Sequence, residues 1–226
     1  MIWAEIFAAF RWWAVIMLIG LTAVPLSFKL LHRLPDRGYA FTKMLGLLIA
    51  SYLFWLLGSL GFVGNNVGGI LLALLILAGL SIWAWRTAED SLAGWLRKNG
   101  RYLLTVELLF AAIFVLWVWV RANHPAIAAT EKPMEFAFLN AVGRSPSFPP
   151  LDPWLSGYAI SYYYFGYVMI SLIARLAAVA EPIAFNLGIA WLVAGPAVGA
   201  FGMVYNLIAS SMKKSWAVAL GLIAAL

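Results

Sequence analysis

The chain contains no cysteine, which excludes disulfides, thiolate catalysis and cysteine-ligated metal. Charge is scarce as well: Asp, Glu, Lys and Arg make up 11% of the 226 residues, where a soluble domain carries about 25%. Soluble domains, low-complexity tracts and internal repeats are also lacking. The two histidines, His32 and His124, are isolated in sequence and form no paired-His metal motif. No phosphate-binding glycine loop and no nucleophile elbow occurs.

What remains is hydrophobic. Apolar residues make up 65% of the chain, with 12 tryptophans among them. The apolar runs fall at about 12–31, 44–63, 67–86, 102–121, 159–180, 187–210 and 216–226. A helix needs ~20 apolar residues to cross a bilayer, and only helices or closed barrels satisfy their backbone there. The expected fold is therefore all-α. It is a polytopic transmembrane bundle of about six full spans plus a truncated seventh, in one membrane domain over residues 1–226. The seventh run reaches the last residue at half a span, as expected for the N-terminal fragment of a longer protein. The first run is too long for the core of a cleaved signal peptide and is expected to be retained.

The net charge of +6 reflects orientation rather than nucleic-acid binding, because the bases are scattered through inter-helix loops. Lys29, Arg33, Arg37 and Lys43 fall in one loop, and Arg86, Arg97, Lys98 and Arg101 in another on the same side by helix parity. The positive-inside rule makes that side cytoplasmic in a multi-pass protein of the cell membrane. The 122–158 loop is then external. Lys213 and Lys214 disagree: six full spans put them outside. Either the 187–210 run, with Gly195-Pro196, is no simple span, or the larger clusters outvote two lysines. The overall bias favours the second.

Two charges fall inside runs. Glu107 and Arg175 each lie about a turn and a half from the cytoplasmic end of antiparallel spans, so they are expected to meet as an intramembrane ion pair.

The densest chemistry lies between Thr130 and Gly166. Residues 133–142 have the pattern of a short amphipathic helix on the membrane surface, with Glu131 and Glu135 four apart at its start and Gly143 at its end. The prolines of 146–150 force extended backbone and return Asp152 and Trp154 to the bundle. Glu131, Glu135 and Asp152 are the candidate catalytic acids: they suit a general base, a cation site or contacts to a sugar. The run Tyr162-Tyr163-Tyr164 is expected in the first turns of the fifth span. Three consecutive helical residues cover about 200°, so at least one must face the bundle.

Four ordered motifs, LPDRGYAFTK (34–43), TEKPMEFAFLNA (130–141), FPPLDPWLSG (148–157) and SYYYFG (161–166), resemble the YYY membrane protein family, whose motif is Tyr-Tyr-Tyr-x-Gly. Glu135 stands where the family pattern has aspartate. The layout is similar to that of C-type membrane glycosyltransferases, which use lipid-phosphate sugar donors. That likeness implies transfer of sugar from a polyprenyl-phosphate donor on the external face. In it, Glu131 or Glu135 deprotonates or orients the acceptor, and Lys132, Arg144 or Arg121 holds the donor phosphate. Trp154 and Tyr162–Tyr164 line the sugar pocket. A divalent cation is compatible with the acids, and the cofactor stays open. The alternatives are a transporter or channel using Glu107 and Arg175, and a non-catalytic assembly subunit. The partners implied are membrane lipids and the lipid-linked sugar.

Overall fold

The computed structural model describes residues 2–225, and these are helical apart from turns and one capping loop. In chain order the helices are α1 (Ile2–Leu30), α2 (Thr42–Ser59), α3 (Val67–Arg86), α4 (Leu92–Lys98), α5 (Gly100–Asn123), α6 (Lys132–Arg144), α7 (Phe165–Ala177), α8 (Glu181–Ile208) and α9 (Lys214–Ala224). Five segments are long and apolar enough to cross a membrane: α1, α2 with the 3₁₀ turn Tyr39–Phe41 before it, α3, α5 and α8. Five such helices suit an integral multi-pass membrane protein.

The fifth run departs from expectation. Residues 159–180 form only the 13-residue α7, about 20 Å long at 1.5 Å per residue, against a hydrocarbon core of about 30 Å. Ala178 ends it in the left-handed region at φ 49°. Its first residue, Phe165, packs edge-on against Trp55 near the end of α2. Arg175, near its last turn, donates to the carbonyl of Asn65 in the α2–α3 hairpin. Both ends of α7 thus lie at the same end of the bundle. The sixth run is a true span, α8, and Pro196 lies within it without ending it.

The loss of one crossing reverses everything after it. α5 and α8 run antiparallel: Tyr102 packs on Phe201 and Tyr205, while Arg121 at the other end bonds Asn186. The end of α8 meets the α1–α2 loop, where Asn206 Oδ1 accepts from the Asp36 N–H at 3.0 Å. Lys213 and Lys214 therefore join the other basic loops. At this basic end lie all lysines and arginines except Arg11, Arg121, Lys132, Arg144 and Arg175. A single cysteine at Ser211 should accordingly label from the same membrane side as one at His32, and one at Ser147 from the opposite side, with an impermeant maleimide. Opposite-side labelling of Ser211 and His32 would restore the six-span count.

Packing inside a bilayer draws on close approach rather than on the hydrophobic effect. α5 offers a single stripe, Tyr102, Val106, Phe110 and Phe114, at intervals of four. α8 answers with Trp191, Phe201 and Tyr205, and turns its glycines to other neighbours: Gly188 to Ile170 of α7, Gly195 and Gly199 to Met44 of α2. A Cβ at Gly202 would stand 2.4 Å from that of Ala40, so the α1–α2 loop can seat only on glycine there.

Candidate functional site

The 122–164 segment folds into a cap over the end of the bundle opposite the basic loops. α6 is amphipathic and buries Phe138, Leu139 and Val142. Pro133 suits its first turn, where the missing N–H has no helical partner. Gly143 lies inside the helix, which runs to Arg144. The cap is pinned chiefly by Asn65. Its buried Nδ2 donates to the carbonyls of Val142 and Ser145, both at 2.7 Å, and its N–H donates to that of Pro146 at 2.8 Å. Arg175 adds a bond from its guanidinium to the Gly143 carbonyl at 2.7 Å. Phe148 then wedges over α2, edge-on to Phe54 at 5.2 Å, where a Cβ on Gly58 would strike its ring.

The three candidate acids separate into two settings. Asp152 Oδ1 accepts from the N–H groups of Trp154 (2.8 Å) and Leu155 (2.9 Å), so one oxygen builds the loop. Asp152 also lines an open cleft of about 490 Å³ with Asn140, Arg144 and Ser145. Glu131 and Glu135 act elsewhere, on Tyr167. Burial first, then the charge of Glu135, with smaller effects of Tyr162 and Glu131, pushes its phenol up to about 12. Among the described residues no three His, Cys, Asp or Glu side chains converge to hold a metal ion.

The remaining candidates divide likewise. Arg144 is exposed at the cleft, and Lys132 is half-buried in the first turn of α6. Arg121 is engaged by Asn186 Oδ1, at 2.8 Å from Nε and 2.6 Å from its terminal nitrogen. Trp154 meets Phe138 edge-on at 5.2 Å, and Tyr162 stacks on it at 5.4 Å. Tyr163 is exposed against Tyr162. The Tyr run precedes α7 instead of lying in it, so helical angles do not apply. Tyr164 alone turns inward, its hydroxyl accepting from Trp55 Nε1 at 2.8 Å.

Glu107 and Arg175 do not pair. Because α7 does not cross, Arg175 stays at the cap end, while Glu107 lies toward the basic end. Glu107 Oε1 accepts instead from Lys43 Nζ at 2.7 Å and from the Tyr39 hydroxyl at 2.9 Å. Beside them Asp36, only 1% exposed, accepts from Gly38 N, Ala40 N and the Tyr102 hydroxyl. Gly38 (φ 74°) makes this turn, and Ser27 and Leu31 leave no room for a side chain.

A family model described as Uncharacterized membrane protein (DUF2298) matches residues 49–226. The chain belongs to that family. No curated protein and no solved structure matches it. The DUF2298 match takes in the α2–α3 hairpin, the whole cap, α7 and α8. It begins after Asp36, Tyr39 and Lys43, so the partners of Glu107 stand outside it. Sequence reasoning counted Lys43 as a loop charge and passed over Asp36. The Pro-Asp-Arg-Gly turn signature was the available signal for Asp36, since Asp bonds the backbone two residues on and Gly accepts the left-handed region.

Proposed function

We propose that this DUF2298 protein is glycosyltransferase-like and transfers sugar from a polyprenyl-phosphate donor on the external face of the cell membrane. One observation carries the reading. Between antiparallel α5 and α8 the chain builds a pinned cap whose open cleft sets an exposed Arg144 beside Asp152, Asn140 and Ser145. An exposed guanidinium suits a phosphate through charge-assisted, bidentate bonds. Trp154 and Tyr162 offer aromatic rings to a sugar beside the cleft, and Asp152 in the cleft wall supplies a carboxylate as acceptor base. The cap lies opposite the basic loops, which the positive-inside rule places in the cytoplasm.

Transport through Glu107 has less support. Lys43 neutralises it, and the space bordered by Tyr39, Lys43 and Glu107 admits no water.

The test is sugar transfer by the protein in liposomes carrying polyprenyl-phosphate sugars, with Asp152→Asn and Arg144→Met. A general base contributes about 10²–10⁴-fold, so Asp152→Asn, which keeps the oxygen that accepts from Trp154 and Leu155, should lower turnover by that order. Arg144→Met should chiefly weaken donor binding. Transfer at the unsubstituted rate by both variants would sink the assignment.

A further inference from the structure

The cap carries a loop of which the proposed chemistry uses only Trp154 and Tyr162. From Pro153 to Tyr163 it holds no charge, and Trp154, Leu155, Tyr158 and Tyr163 are each more than half exposed, Tyr163 at 81%. These side chains are displayed by a built scaffold. Leu151 and Ala159 form an antiparallel bridge, Asp152 N donates to the Tyr158 carbonyl and Ile160 N to that of Pro150, both at 2.9 Å. Asp152 Oδ1 fixes the turn from within. A water-facing loop with this much order would be expected to show polar side chains to the solvent.

Its depth says what covers it. The loop returns to the bundle at Tyr164, which bonds Trp55, and Trp55 also packs against Phe165. Trp55 lies four residues before the end of α2, about 6 Å inside it at 1.5 Å per residue. Tyr52, a turn deeper, is half exposed on the same side as Trp55 and packs against it. The loop thus leaves the bundle below the tip of a spanning helix, at the level where hydrocarbon meets headgroups. Rings with one polar atom concentrate there.

We propose that the Pro153–Tyr163 loop is a membrane wedge, seated in the headgroup layer of the leaflet at the cap end. The wedge adjoins Leu151, Asp152 and Pro153 of the cleft wall, and so holds the cleft at headgroup level. This inference stands whether or not the cleft transfers sugar.

The absence of cysteine allows a direct test. Ser156→Cys, in the exposed turn, is labelled with an environment-sensitive NBD dye and the protein is reconstituted in phosphatidylcholine vesicles. Blue-shifted emission, quenched more by a shallow nitroxide-labelled phosphatidylcholine than by iodide, is the expected result. The same dye on Ser211→Cys, beyond α8, should be quenched more by iodide. Adding Leu155→Asp should move the Ser156 dye toward iodide. Red-shifted emission quenched mainly by iodide would place the loop in water and overturn the wedge. Quenching by neither agent would mean that protein, such as a second copy, covers the loop, and would overturn it equally.

Discussion

Lys43→Met is expected to destabilise the bundle by about 3–5 kcal/mol, the cost of removing one partner from a buried ion pair. Lys43 Nζ is 2.7 Å from Glu107 Oε1, and the two side chains are 5% and 25% exposed. Methionine keeps the unbranched stem, which fits tightly against α1 at Gly20, so the loss isolates the charge. Glu107 would be left with the Tyr39 hydroxyl alone, and its second oxygen is buried without a partner already. The ammonium also lies 5.2 Å from the centre of the Phe110 ring, a further contact that methionine forfeits in part. Lys43→Met with Glu107→Leu should recover most of the loss, because an apolar pair of similar volume is often as stable as the ions it replaces. The measurement is thermal unfolding in detergent for the single and double variants. A single variant as stable as the parent, or a double no better than the single, would refute the pairing.

That pair also shows where the sequence was legible. Glu107 was visible as an acid within an apolar run, and its cost in a bilayer predicted a basic partner. The partner was misassigned because hydropathy alone cannot tell a 13-residue helix with flanking apolar coil from a full span. Residues 159–180 read as one apolar run broken only by Ser161, Ser171 and Arg175, yet Ala178 adopts a left-handed conformation that nothing in its side chain announces. One miscounted crossing moved Arg175 to the wrong end of the bundle and Lys213 and Lys214 to the wrong side. The disagreement at those lysines was thus the informative residue of the charge pattern, though the fault lay one run earlier than the Gly195-Pro196 break. Amphipathic α6 was readable from its spacing, and so was the rigidity of the proline segment. The setting of each acid was not: the fold holds Asp152 in a turn of its own loop and in the cleft wall, while Glu131 and Glu135 do not line that cleft. Nothing in the Gly64-Asn65-Asn66 turn announces the role of Asn65, since its bonds to Val142 and Ser145 span more than 70 positions.

Asn65→Asp should release the cap while leaving the spans folded. The amide of Asn65 is 6% exposed and gives both its hydrogens to carbonyls. Aspartate puts an acceptor where the two donors were, against two oxygens at 2.7 Å. Each carbonyl left buried without a donor costs about 1–3 kcal/mol, so the pair sets a loss of roughly 2–6 kcal/mol before charge repulsion is added. Arg175 does not rescue it, since its guanidinium is committed to the backbone carbonyls of Asn65 and Gly143. The loss is local because α5 and α8 pack on each other, and α1 on α2 and α3, without the cap. The expected result is rapid proteolysis between Ser145 and Tyr163 in protein whose spans still melt cooperatively. Asn66→Ala is the matched control. Asn66 caps α3 by accepting from Gly69 N at 3.0 Å, and its loss should cost about 1 kcal/mol with the cap still protected. If Asn65→Asp resists protease as the parent does, the hairpin is not what holds the cap, and the burden falls on Phe148 beneath Gly58.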